Sequence, residues 1–195
     1  MRLAVLLVLA AVGTAQAQDL PGGGLSIEVS DVNDHRDEVI LMDNDGNIVE
    51  LGAGYNVSFK VGRGFVTVHV QDGDCDASRR FTFAQLRSKM ALRRAERLVD
   101  DGNPVDAAAM ARKAIAEDRL APDPAFLLAA LQLQLGPPRD ALATLRPWIK
   151  REPKETYAKI MATDELAPLR TAAEIVALRT RQGSLASRKV TSFCF

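Results

Sequence analysis

The string Gly102-Asn103-Pro104-Val105-Asp106-Ala107 returns 34 residues later as Gly136-Pro137-Pro138-Arg139-Asp140-Ala141. The register extends on both sides of it. Ala91 matches Ala125, Ala95 matches Ala129, Ala114 falls opposite Trp148 and Ile115 matches Ile149. A period of this length in an Ala-, Leu- and Arg-rich stretch is that of a repeated helix-turn-helix unit, which buries its apolar face only on a neighbouring unit. The repeat therefore decides the class of the second half of the chain.

The residues at fixed places in the period are those that such packing needs. Ala95 and Ala129 are small where two helices approach closely, and Ala107 and Ala141 do the same on the second helix of each unit. Gly102 and Gly136 occupy the turns, where a residue without Cβ is expected to take a left-handed conformation. Over about two periods, Ser88 to Glu155, the chain resembles the tetratricopeptide-repeat family, with Pro153 at that family's closing proline. It departs at Arg94, where the second copy has Leu128, at Gln132, where the first copy has Leu98, and at Arg119, which replaces the first closing proline. Two units need a cap, so Thr156–Ala162 and Pro168–Gln182 are expected as closing helices, Pro168 in the first turn of the latter and Gly183 just beyond it.

The first half differs in composition. Between Leu25 and Phe83 stand 12 Val or Ile against 2 Ala, whereas 22 Ala follow from Ala84 onward. Strands are expected at Leu25–Val32, Glu38–Met42, Ile48–Leu51, Val57–Val61, Phe65–Val70 and Arg79–Phe83, separated by turn chemistry at Asp43–Asn47, Gly62–Gly64 and Asp72–Asp74. Gly52-Ala53-Gly54 reads as a further turn. The pattern predicts a small antiparallel sandwich, similar to the immunoglobulin-like or PEGA-type modules of exported bacterial proteins. The fold class is thus α+β in two modules: a β-sandwich over residues 25–83, then a tetratricopeptide-like helical array over 84–182, with a Gly-rich linker at 18–24 and a tail at 183–195.

Residues 1–17 read as a signal peptide, with Arg2 before the apolar run Leu3–Val12 and a small-x-small site at Ala15-Gln16-Ala17. Ten apolar residues rise only about 15 Å as a helix, short of the roughly 30 Å of a bilayer core. The chain is therefore expected to be exported, periplasmic or secreted, without a transmembrane anchor. Export permits a disulfide. Cys75 and Cys194 are the two cysteines of the chain, and an internal bridge, two thiols and a bond to another chain all stand as readings.

The charge balance is 25 basic against 25 acidic residues, and it conceals a division. Residues 18–83 hold 12 acids and 5 bases, while residues 84–195 hold 13 acids and 19 bases. Docking between the halves and separate partners for each both follow from such a dipole. Arg87, Lys89, Arg93, Arg94 and Arg97 fall within an arc of about 160° on the first helix, opposite Ala91, Leu92, Ala95, Leu98 and Val99. The resemblance implies a groove lined by the first helix of each unit. By position it takes Lys89, Leu92, Glu96 and Val99 from one copy and Asp123, Phe126, Ala130 and Leu133 from the other. Leu92 and Glu96 stand where the family's carboxylate clamp needs basic and amide side chains, so a peptide or helix is the better occupant.

The residues expected to bind a partner are Lys89, Leu92, Arg93, Arg97, Val99, Phe126 and Leu133. No catalytic set is legible. The two histidines, His35 and His69, accompany no nucleophile motif, and no zinc or phosphate-binding spacing is present, so no cofactor or metal is expected. Near-zero charge, export and few aromatics disfavour nucleic acid. The function expected is that of a non-catalytic adaptor, scaffold or assembly factor at the cell envelope. The alternative has the β module bind carbohydrate, or calcium through Asp31, Asp34 or Asp37, with the helices as spacer. Leu41 and Gly52 at the outer ligand positions exclude an EF-hand there.

Overall fold

The computed structural model describes residues 17–33 and 36–182. Most of the expected signal peptide, His35 and the 183–195 tail with Cys194 lie outside the described residues. Among the described residues, seven antiparallel strands form two sheets. Strands β1 (Ala17–Asp19), β2 (Leu25–Asn33), β3 (Arg36–Asp43) and β4 (Ile48–Gly54) lie side by side in that order, as do β5 (Asn56–Val61), β6 (Phe65–Asp72) and β7 (Cys75–Thr82). Ile27, Val39 and Leu41 pack against Val66, Val68 and Phe81 between the sheets. His69 faces out, its Nδ1 2.6 Å from Ser78 Oγ.

Three readings of this module change. The stretch 18–24, expected as a linker, carries the end of β1, and Leu20 is buried in the sandwich core ahead of the tight Gly22–Gly24 turn. Gly52-Ala53-Gly54 lies within β4 rather than in a turn. A Cβ on Gly52 would stand 2.7 Å from Val70 Cγ2, and one on Gly54 2.7 Å from the Gln71 carbonyl oxygen, so these glycines set how closely the sheets approach. Phe83 begins a helix instead of ending a strand.

Helix α1 (Phe83–Asp100) follows β7 with no intervening residue. Thr82 closes the strand and caps the helix: its hydroxyl accepts from Gln85 N (3.2 Å) and the Gln85 side chain accepts from Thr82 N (2.8 Å). The N-terminal half of α1 buries Leu86 and Met90 in the sandwich core. Five residues after Met90, Ala95 is fully buried against Ala107, Ala111 and Leu128 in a second core. One helix serves both.

The array continues with α2 (Pro104–Glu117), α3 (Pro122–Leu135), α4 (Pro138–Arg151) and α5 (Pro153–Ala162), each opening on a proline whose missing N–H costs nothing there. Ala95, Ala107, Ala129 and Ala141 are all fully buried, as the repeat register requires. Ser88 Oγ donates to the Ala114 carbonyl (2.8 Å), tying α1 to α2. At the departure noted above, Gln132 Oε1 accepts from Thr144 Oγ1 (2.7 Å) and joins α3 to α4. A 3-10 segment (Asp164–Leu169) and α6 (Ala173–Gln182) close the end, where Ile160, Leu166, Leu169 and Ile175 bury Phe126 and Leu145. Pro168 falls inside the 3-10 segment, so α6 begins later than the proline suggested.

The two turn glycines are not alike. Gly102 has φ +73°, with its N–H donating to the Val99 carbonyl and that of Asn103 to Leu98, a Schellman closure. Gly136 is extended at φ −166°, against expectation, because the residue before Pro137 is driven out of the helical region.

The oppositely charged modules meet at the β3–β4 turn. Asp43, its side chain fully buried, accepts from the N–H groups of Asp45 (3.0 Å) and Asn47 (2.8 Å) through Oδ1. Through Oδ2 it accepts from Asn47 Nδ2 (2.8 Å) and from Arg94 Nε (2.6 Å). Arg94 also pairs with Asp45 (3.4 Å), and Arg97 donates to the Asp45 carbonyl and to Asn47 Oδ1, both at 3.4 Å. Burial pushes the Asp43 carboxyl up, but the hydrogen bonds from Arg94 and Asn47 and the Arg94 charge outweigh it and hold it below the ordinary 3.8.

Gly102→Ala is expected to lower stability by about 1 kcal/mol, since a Cβ is strained at positive φ, whereas Gly136→Ala changes it by less than about 0.5 kcal/mol. Urea titration of the pair separates the two turns. Asp43→Ala, which orphans both turn amides and Arg94, costs about 3 kcal/mol, with a coupling of about 1–3 kcal/mol to Arg94→Ala in a double-mutant cycle. Because the folded chain holds the Asp43 proton more weakly than the unfolded one, this carboxylate's stabilisation is complete above pH about 4. It is lost as pH falls through the lower folded value. Asp43→Asn flattens the stability profile in that window, measured by denaturation from pH 6 to 2.

Candidate protein-interaction groove

Stacking the units leaves alternate helices on one side. Residues of α1 (Leu92, Glu96, Val99), α3 (Asp123, Phe126, Ala130) and α5 (Lys159) border one cleft of about 400 Å³, with Thr163 and Glu165 at its far end. Its floor is apolar. Phe126 and Ala130 are buried, Leu92 and Leu127 are half-buried, and Val99 is 36% exposed, so a visitor meets hydrocarbon rather than backbone. The rim is charged. Lys159 pairs with Asp123 and lies 4.7 Å from the centre of the Phe126 ring, bridging α5 to α3 across the cleft.

A second cleft of about 260 Å³ adjoins the first through Leu92 and Asp123, and runs between β7, α1 and the start of α3. Arg79, Arg80 and Lys89 stand on its one side and Asp118 and Asp123 on the other. Arg79 and Lys89 both lie over Phe81, at 5.0 and 5.8 Å from its ring centre. Burial pushes the Lys89 ammonium below its ordinary 10.5, the Arg79 charge adds to this, and Asp123 partly offsets it. An anionic group brought here reduces the mutual repulsion of the two cations. The combined surface is an apolar trough with a basic end beside the β-sandwich.

Of the residues expected to bind a partner, Leu92, Val99 and Phe126 border the larger cleft and Lys89 the smaller. Leu133 packs instead against the core formed by α3 to α6. Arg93 is exposed and pairs with Glu96 (3.5 Å), a bordering residue. Arg97 is engaged at the β3–β4 turn. The basic arc of α1 is thus divided: Arg94 and Arg97 hold the modules together, Arg87 pairs with Glu117 of α2 (2.7 Å), and Lys89 reaches the clefts.

The contribution of β7 escapes a reading by repeat position, which sees helices alone. Arg79 and Phe81 alternate on a strand that leads straight into α1, and that adjacency is the signal that places them beside Lys89. Among the described residues no group of three or more His, Cys, Asp or Glu is placed to hold a metal ion, and no helix is long and apolar enough to cross a membrane. Neither a curated protein nor a solved structure matches the chain. A tetratricopeptide-repeat family model matches residues 98–163, from the last turn of α1 to the end of α5. The match does not reach the strands, so it supports a protein–protein interaction role for the helical array that the β-sandwich precedes.

Proposed function

We propose that the chain is an exported, non-catalytic adaptor at the cell envelope that holds a peptide or helix of a partner protein in the trough between α1, α3 and α5. The observation that carries this reading is the trough itself, an apolar floor bordered by charge on every second helix of the array. An amphipathic segment presenting apolar anchors to Leu92, Val99 and Phe126 fits it, with an acidic residue toward Lys89 and Arg79. Lys89, Leu92, Arg93, Val99 and Phe126 form the contacting set. Arg97 and Leu133 act behind it, by fixing α1 to the sandwich and α3 to the closing helices.

Cleavage after Ala17 leaves Gln18 and Asp19 to pair with Ile27 and Ser26, so processing is compatible with β1. The mature product is expected to begin at Gln18, as read by intact mass from an extracellular or periplasmic fraction; a product retaining residues 1–17 there would overturn the export reading.

For the trough, a partner is identified by crosslinking in an envelope extract and its affinity measured with purified proteins. Val99→Glu and Leu92→Glu place charge on the floor and are expected to weaken binding at least tenfold, about 1.4 kcal/mol. Lys89→Glu weakens it chiefly at low salt. Arg112→Glu, on the exposed face of α2, leaves affinity unchanged. Equal affinities across all four variants with unaltered thermal unfolding would refute the assignment.

A further inference from the structure

Among the described residues, one side of the sandwich is left uncovered. β3 faces β5 and β4 faces β6, so β7, the last strand of its sheet, extends past the edge of the other sheet. Register places Ala77 beside Val70 and Cys75 beside Asp72, hence on the side of β7 that carries Phe81 into the core. Helix α1 covers that side near Phe81 and Arg79. What remains is an opening of about 510 Å³ bordered by Leu51, Gly52, Ala53, Val70, Cys75 and Ala77, with Glu50 and Asp72 balanced by Arg36 and Arg79. The outer edge of β4 pairs with no described strand.

We propose that residues 190–195 of this same chain, Val190-Thr191-Ser192-Phe193-Cys194-Phe195, fill this opening as a strand beside β4 and are pinned there by a disulfide between Cys194 and Cys75. Two observations converge on that occupant. Cys75 is not a free thiol, and the chain holds one other cysteine. The segment is apolar, β-branched and aromatic, suited to a pleated, half-buried position. The 12 residues from Gln182 to Cys194 span at most about 40 Å when fully extended, which sets the outer limit of their return from α6.

The small side chains of Ala53 and Ala77 then have a use, since they leave room for the aromatic rings that the segment brings. Bond formation removes two protons and two electrons from the thiols, and these pass to a disulfide oxidant that is reduced to its dithiol. The cellular source of that oxidant rests on the export reading. The test does not, because oxidised glutathione serves the same role in vitro.

The full chain is refolded with oxidised and reduced glutathione, then mapped by proteolysis and mass spectrometry without reduction. The expected result is a monomer in which the Cys75 and Cys194 peptides are joined and Cys75 alkylation is slower by more than a hundredfold than in the reduced protein. Phe193→Ser with Phe195→Ser keeps the bridge, but raises amide exchange along β4 at least tenfold relative to wild type. Reduction of the wild type lowers Tm by roughly 10 °C. A disulfide-linked dimer, a Cys75 that alkylates at the same rate before and after reduction, or exchange along β4 indifferent to the two phenylalanines would each overturn the proposal.

Discussion

Helix α1 belongs to two hydrophobic cores at once, and everything else in the molecule is arranged around that constraint. Its first two turns give Leu86 and Met90 to the sandwich, and its middle gives Ala95 to the packing with α2 and α3. A helix with one apolar stripe satisfies a single neighbour. Here the stripe changes partners along its length while Lys89, Leu92 and Val99 remain at the clefts. The sandwich thus stands where a preceding repeat would stand in a longer array, and supplies the burial that two units lack by themselves.

The electrostatics of the junction follow the same logic. A chain with equal numbers of acids and bases divides them unequally between its modules, and part of that division is consumed where Asp43 meets Arg94. The buried carboxylate is satisfied by two backbone amides, an amide side chain and a guanidinium. Such a fully bonded ion contributes little net stability against a hydrophobic substitute, but misaligned alternatives leave it bare, so its effect is to select one docking angle. The β3–β4 turn is therefore both a hairpin loop and the latch of the interface.

How much of this was legible in the residues depends on whether the cause was local. Helix order, the turn at Gly102 and the burial of Ala95, Ala107, Ala129 and Ala141 follow from periodicity and residue size, which a linear string displays. The sandwich follows from β-branched alternation. Gly52 and Gly54 were opaque because their reason is a neighbour in the other sheet, not a bend in their own strand. Arg94, a departure from the repeat when compared with Leu128, makes sense once Asp43 is seen 51 positions earlier in the chain and 2.6 Å away in space. Gly136 shows the converse, a familiar residue whose conformation the following Pro137 dictates. Half of the trough was readable from repeat position, and the basic end was not, because β7 supplies it.

The direct passage from β7 into α1 at Thr82 makes chain length itself a design variable. With no spacer between strand and helix, one inserted residue rotates the helix by about 100° and advances it by about 1.5 Å. Leu86 and Met90 would leave the sandwich, Arg94 would turn away from its hairpin, and the trough would swing to another side of the molecule. Homologous chains that keep this architecture should accordingly vary in the turns between strands and between helices, while the phase between Cys75 and Ala95 stays constant to the residue.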